Sequence, residues 1–197
     1  MKESIVSFYQ GPVRNKVPCA TCSIAAIQRY IITDPRLKEL TEQVRADRSD
    51  PEVFKLKKLT LLPYITPGGV FSRCCKSGLL IPSGDFVVDI DGLESDSEAV
   101  RLRNQLASDE LLQPDLVFVS PSGRGVKLFL PYRILPEQPL EVCFTQAIQA
   151  SWTYLESIYG LHPDRANTDL CRGCLLCHDA GARHYQPEPM IQENKHN

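Results

Sequence analysis

The sequence lacks any long apolar run, and it carries little net charge. No stretch approaches the roughly 18 apolar residues that a membrane-spanning helix needs, and the first residues contain no apolar core of a secretory signal. The formal net charge is −2, so bulk charge does not draw the protein to nucleic acid, and any basic surface must be local. We therefore expect a soluble, cytoplasmic protein with no membrane partner.

The sequence also lacks a Gly-x-x-x-x-Gly-Lys-Ser/Thr loop, which cradles the phosphates of ATP in one large class of ATPases. ATP hydrolysis that depends on such a loop would therefore have to come from a separate protein. The 197 residues are 43% hydrophobic and 23% charged. A chain of this size and composition buries a sufficient core without disulfides or metal ions.

Local patterns predict a mostly helical N-terminal unit over residues 1–62. Asp34-Pro35 and Asp50-Pro51 each pair a capping residue with a proline that suits the first position of a helix. After Leu62, prolines and glycines predict a loop, and short β-branched segments follow. Strands are predicted at 5–8, 70–73, 78–82, 85–91, 116–120 and 126–130, and helices at 23–32, 51–58, 95–108 and 141–159.

This order of elements predicts an α+β fold with a mixed or antiparallel sheet and flanking helices. We expect a single domain over residues 1–187, in which 63–187 form the sheet unit. The polar residues 188–197 are expected to form a frayed tail.

The clearest candidate for chemistry is the pair Asp89 and Asp91 at the end of an apolar strand. Side chains alternate across a strand, so the two carboxylates project from the same face. Neighbouring carboxylates repel, and a Mg²⁺ or Mn²⁺ ion removes that repulsion while keeping positions open for phosphate oxygens. The alternative is two solvated acids that end a strand in a turn.

A second candidate is the glycine-rich segment from Ser120 to Lys127, between two predicted strands. Glycines let backbone N–H groups approach an anion closely, and nearby cations and hydroxyls suit a triphosphate. A plain hairpin turn is the alternative. The candidate nucleotide-binding residues here are Ser122, Gly123, Arg124, Gly125 and Lys127.

A third candidate lies in the polar segment after the last predicted helix. Asp164 is a possible third carboxylate ligand, and Arg172 is a possible phosphate contact. The alternatives are an Asx turn at Asp164 and an ion pair between Arg172 and Asp169.

The three candidates together, in this order, resemble the archaeo-eukaryotic primase (primase–polymerase) superfamily. The chain is more closely similar to the VirE N-terminal-like domain of primase–helicase proteins of bacterial mobile elements. The resemblance covers nearly the whole chain and rests on four stretches. The first consists of Leu56-Lys57 with Leu62-Pro63, Thr66 to Phe71 and Arg73. The others are Asp85 to Leu93, Ser120 to Lys127, and Asp164 to Asp179 followed by Tyr185-Gln186-Pro187.

The resemblance implies a nucleotidyltransferase for DNA replication, with Asp89, Asp91 and Asp164 as catalytic metal ligands. It implies a nucleoside triphosphate and a single-stranded DNA or DNA template as partners. The superfamily usually has histidine where this chain has Lys127. Lysine binds phosphate as a point charge, but it cannot act as a neutral imidazole.

The eight cysteines are expected as free thiols or metal ligands in a reducing compartment. Cys19 and Cys22 are spaced like zinc ligands, as are Cys171, Cys174 and Cys177. Against zinc, the first pair is predicted at a helix start and the others in a buried strand, where cysteine packs as a small hydrophobe.

Three hypotheses therefore remain: a primase-like enzyme, an inactive module that binds nucleotide or single-stranded DNA beside a separate helicase, and a zinc-stabilised interaction domain.

Overall fold

Five α-helices form within residues 4–185, and in four of them a side chain caps the first turn. The computed structural model describes residues 4–185, so the predicted polar tail lies outside the described residues. Asp34 and Asp50 accept hydrogen bonds from the first turns of the second and third helices, each of which begins with proline, as the sequence predicts. The helices are α1 (Ile24–Thr33), α2 (Pro35–Ala46), α3 (Pro51–Leu61), α4 (Asp96–Ala107) and α5 (Leu140–Tyr159).

The strands of residues 4–185 form three antiparallel sheets. The first sheet has the order β2-β1-β3-β9, the second pairs β4 with β5, and the third has the order β6-β8-β7. The strands are β1 (Ile5–Tyr9), β2 (Ala20–Ser23), β3 (Tyr64–Thr66), β4 (Gly69–Phe71), β5 (Leu79–Pro82), β6 (Asp85–Ile90), β7 (Leu116–Val119), β8 (Val126–Pro131) and β9 (Cys174–Leu175).

The third sheet is buried on both faces, and this explains why its strands are almost entirely apolar. One face packs against α4 and α5 through residues such as Phe86, Leu128 and Trp152, and we call this the first core. The opposite face carries Val87 and Phe129 and packs against the first sheet, α1 and α2, which we call the second core. The alternation of side chains along β6 divides its residues between the two cores.

The α+β class and the antiparallel pairing agree with the sequence-based prediction, but several local assignments differ. The helix predicted at 23–32 is confirmed as α1, but Cys19 and Cys22 do not belong to its start, because Ala20–Ser23 forms the edge strand β2 and pairs with β1. The first third is therefore not a purely helical unit. Part of the predicted loop after Leu62 forms β3, and only Cys174–Leu175 of the predicted final strand is extended. Each missed strand is only two to four residues long and depends on pairing with distant segments, which local patterns do not reveal.

Within residues 4–185, none of the helices combines the length and apolar character that crossing a membrane requires.

Candidate functional site

The candidate site lies at one end of the third sheet, on the face turned toward the second core. Asp89 of β6 and Lys127 of β8 stand directly opposite each other in the antiparallel register. On the other side of Lys127, Phe118 of β7 is its register partner. Cross-strand neighbours on one face are close enough for their side chains to interact, and the register therefore brings a carboxylate and an ammonium group together.

Lys127 forms an ion pair with Asp89 through Nζ and Oδ2. The lysine is only 8% exposed. Burial lowers the pKa of Lys127, but the charges of Asp89 and Asp91 and the hydrogen bond to Asp89 outweigh burial, so that the net pKa is raised. Lys127 therefore remains charged. The second carboxylate oxygen of Asp89, Oδ1, is buried and has no hydrogen-bond partner within the described part of the chain.

A pocket of about 520 Å³ opens above this ion pair. It brings together residues that are far apart in the sequence, because the backbone N–H of Asp164 donates to the carbonyl oxygen of Asp89 at 2.8 Å. This bond holds the segment after α5 beside the end of β6. The predicted site residues that line the pocket are Asp89, Asp91, Ser122, Lys127, Asp164 and Arg172.

Asp91 lies just beyond the end of β6, and the backbone of Gly125 packs closely against it. Asp91 is exposed at the pocket. Partial desolvation by the surrounding protein, followed by the charge of Asp89, raises the pKa of Asp91 above its ordinary value, although Lys127 and Lys58 act in the opposite direction. A Cβ atom on Gly125 would lie 2.7 Å from Asp91 Oδ1 and 2.6 Å from the carbonyl oxygen of Ile90. Glycine at 125 thus permits this close approach.

Asp164 is exposed, and its Oδ1 accepts a hydrogen bond from the N–H of Ala166 at 2.9 Å. This is the Asx turn that the sequence offered as an alternative to a metal ligand. Among residues 4–185, no group of three or more His, Cys, Asp and Glu side chains is arranged to hold a metal ion. The three acids share one pocket, but they do not form a ready-made ligand set.

The glycine-rich turn contributes less to the pocket than its sequence indicates. Gly123, Arg124 and Gly125 are not among the pocket-lining residues of the described chain. The N–H of Gly123 donates to the carbonyl oxygen of Ser120, and that of Arg124 donates to Ser122 Oγ, so neither donor is free for an anion. Arg124 lies outside the pocket, with Nε 3.8 Å from Asp96.

Two arginines near the end of α2 hold this turn in place through hydrogen bonds to its carbonyl oxygens. Arg45 donates to the carbonyl oxygens of Ser120 and Pro121 at 3.1 Å. Arg48 donates to the carbonyl oxygen of Ser122 and to Asp96. These contacts place the hydroxyl of Ser122 at the pocket wall. The sequence analysis missed both arginines because their contacts with the turn span 74 or more residues.

Three basic residues line the pocket in addition to Lys127, namely Lys16, Lys58 and Arg172. Of these, only Arg172 was predicted. None of the three forms an ion pair with a carboxylate in the part of the chain that the structure describes, and the alternative pair of Arg172 with Asp169 is not formed there. The run Lys55 to Lys58 on a helix is the sequence signal for Lys58. The pocket therefore combines carboxylates with several cationic side chains.

The described cysteines are free thiols. Cys174 and Cys177 lie in the second core, and burial raises the pKa of each thiol to about 12. Cys171 instead donates to Asp169, and Cys74 donates to the carbonyl oxygen of Cys171. Cys19, from the other predicted pair, is exposed and donates to the carbonyl oxygen of Phe8.

These features define an α+β domain with a deep pocket in which carboxylates and cations face each other. Residues 56–183 match the family model described as BT4734-like, N-terminal domain. The match covers more than half of the chain and includes every predicted site residue, and the chain belongs to this family. Comparisons with curated proteins and with solved structures gave no significant match.

Proposed function

We propose that this chain is a primase–polymerase-like nucleotidyltransferase domain that binds a nucleoside triphosphate together with Mg²⁺ or Mn²⁺ during DNA replication of mobile elements. The observation that carries the proposal is one pocket in which the three predicted metal ligands Asp89, Asp91 and Asp164 occur together with a buried lysine, an arginine and serine hydroxyls. Carboxylates bind the hard cations that accompany triphosphates, and the cationic side chains match the phosphates.

The carboxylate oxygens of the pocket fit a divalent cation. Asp89 Oδ1 is buried without a hydrogen-bond partner among the described residues, and such an atom gains from an ion that it can ligate. Asp91 and Asp164 are the further oxygen donors on the same pocket. A bound Mg²⁺ or Mn²⁺ would neutralise phosphate charge and lower the pKa of an attacking hydroxyl.

The chain's own cations would position the triphosphate. Lys127 is held by its neighbours and supplies a fixed point charge, whereas Arg172 can form two parallel hydrogen bonds to phosphate oxygens. Ser122 adds a hydroxyl donor at the wall of the pocket. Electrostatic positioning of this kind accounts for most of the catalysis in phosphoryl-type transfers.

Calorimetry with Mn²⁺ and a deoxynucleoside triphosphate tests the binding step. We expect Asp91→Asn to weaken Mn²⁺-dependent binding by at least about tenfold, since loss of a ligand charge reduces metal affinity. Asp115→Asn is the matched control, because Asp115 lies at the other end of the third sheet, outside the pocket. Equal affinity in the two variants would contradict the proposal.

A primer-extension assay with Mn²⁺ and labelled nucleotides tests the chemical step. We expect extension by the wild-type chain and no extension by Asp91→Asn, a variant that leaves the buried ion pair of Lys127 with Asp89 intact. Binding without extension would support a second candidate function, an inactive module that presents nucleotide or single-stranded DNA to a separate helicase. The ion pair of Lys127 with Asp89 favours this second candidate, because it occupies an oxygen that a catalytic metal would use.

A further inference from the structure

A second cavity of about 540 Å³ lies beside the pocket, against α3. Val13, Lys16 and Leu59 line both cavities, so the two are adjacent. We call the second cavity the outer groove. Its described lining consists of Pro12, Val13, Arg14, Lys16, Leu56, Leu59 and Thr60.

Charge differs between the two cavities. The inner pocket contains all the carboxylates, whereas none of the described residues that line the outer groove is acidic. Arg14 and Lys16 have no carboxylate partner within residues 4–185. A mononucleotide would fill only the inner pocket, so the outer cations match a ligand whose negative charges continue beyond it.

Apolar side chains accompany these cations. Leu56 is 67% exposed, Leu59 is 37% exposed, and α3 buries none of its residues. Apolar surface beside unpaired cations suits a single-stranded nucleic acid, which presents flat base faces together with phosphates. The aliphatic side chains here replace the aromatic platforms that many such sites use.

The floor of the outer groove is held in place by backbone contacts. The N–H of Val13 donates to the carbonyl oxygen of Leu59 at 2.9 Å. Gly11 lies against the end of α3, where a Cβ atom would come within 2.8 Å of the carbonyl oxygen of Thr60. Lys16 stacks over the ring of Tyr64 at 5.8 Å. The groove is therefore preformed and needs little ordering to bind a strand.

We propose that the outer groove binds a single-stranded nucleic acid whose end reaches the carboxylate pocket. This inference rests on the proposed function for the identity of the inner ligand. It adds the path of the strand, which runs over the 11–16 segment and one face of α3.

The test uses fluorescence anisotropy with a fluorescein-labelled oligothymidylate of about 12 nucleotides, a length within the range of single-strand binding sites. The variant Arg14→Ser/Leu56→Ser alters only the outer groove, and its matched control is Arg101→Ser/Leu111→Ser. Arg101 and Leu111 are also exposed, but they lie outside both cavities. A salt series is recorded for each protein.

We expect the outer-groove variant to bind the oligonucleotide about tenfold more weakly, and its salt dependence to fall by about 0.7 in log–log slope for the lost phosphate contact. The control variant should match the wild type. Equal affinities for the two variants, or no binding of the oligonucleotide to the wild type, would overturn the inference. Equally effective competition by polyglutamate would assign the groove to acidic peptides and overturn it as well.

The outcome for this inference is separable from that of the proposed function. If the outer-groove variant loses oligonucleotide binding but retains Mn²⁺-dependent triphosphate binding, both proposals stand. If the wild type binds the oligonucleotide through Arg14 and Leu56 but binds no triphosphate, the outer groove stands and the proposed function fails.

Discussion

At the scale of single residues, the ion pair of Lys127 with Asp89 is the feature on which local stability most depends. Both side chains are largely buried, and removing one partner of a buried pair leaves an uncompensated charge. We expect Lys127→Met to lower the free energy of unfolding by about 3–5 kcal/mol, as measured by urea denaturation.

Two further variants isolate this effect. The double variant Asp89→Asn/Lys127→Met removes both charges and should recover much of the lost stability. Lys57→Met breaks the ion pair of Lys57 with Asp47, in which both side chains are more than a third exposed, and should cost at most about 1 kcal/mol. A loss for Lys127→Met no larger than that for Lys57→Met would contradict the prediction.

Two glycines near the site differ in why they must be glycine. Gly125 is crowded by the carbonyl oxygen of Ile90, whereas Gly92 has a φ of +77° and open space around it. We expect Gly125→Ala to cost about 1–3 kcal/mol, since backbone must move to admit the new atom. Asparagine tolerates the left-handed region, so Gly92→Asn should cost less than about 1 kcal/mol. Chemical denaturation distinguishes the two, and equal losses would show that crowding at Gly125 is unimportant.

At the scale of elements, Asp109 connects the turn after α4 to the C-terminal half of α5. Its carboxylate accepts hydrogen bonds from the hydroxyls of Tyr154 and Tyr159 at 2.9 and 2.5 Å, and from the N–H groups of Leu111 and Leu112. Burial raises the pKa of Asp109, but these hydrogen bonds together hold it below its ordinary value.

This lowered pKa predicts the pH dependence of an Asp109→Asn variant. Because the folded pKa lies below the unfolded value, ionised Asp109 stabilises the fold above about pH 4, and that contribution is lost as pH falls through the folded pKa. We expect Asp109→Asn to cost about 1.5–3 kcal/mol at neutral pH. The deficit should shrink in urea titrations repeated below about pH 4, and a deficit that is constant with pH would contradict this assignment.

The sequence predicted the longer strands and the alternation of their side chains, but it did not predict how strands pair. The β-branched run from Asp85 to Ile90 predicted β6, and its period of two correctly placed Asp89 on the face of the site. The opposition of Asp89 and Lys127 was not predictable, because it depends on the register of β6 with β8. The strands β3 and β9 were missed or shortened because two or three residues acquire extended structure only through pairing.

At the scale of the whole molecule, the two cores are tied together by the shared third sheet. The chain's later residues also return to its beginning, since β9 pairs with β3 and the N–H of Asp179 donates to the carbonyl oxygen of Ile31. Asp179 in turn forms a buried ion pair with Arg103 of α4. The first core has no strands of its own, because β6, β7 and β8 also contribute residues to the second core. The N-terminal helices and the sheet unit should therefore not unfold independently.

We therefore expect a single cooperative transition over the described fold, observed with one probe in each core. The only tryptophan, Trp152, lies in the first core. Cys174 and Cys177 lie in the second core, where burial raises both thiol pKa values to about 12 and suppresses their reactivity until unfolding. Tryptophan fluorescence and pulsed thiol labelling of these two cysteines should give the same urea midpoint. An earlier midpoint for labelling would show that the second core opens first, and that the first core with the third sheet is a separate unit.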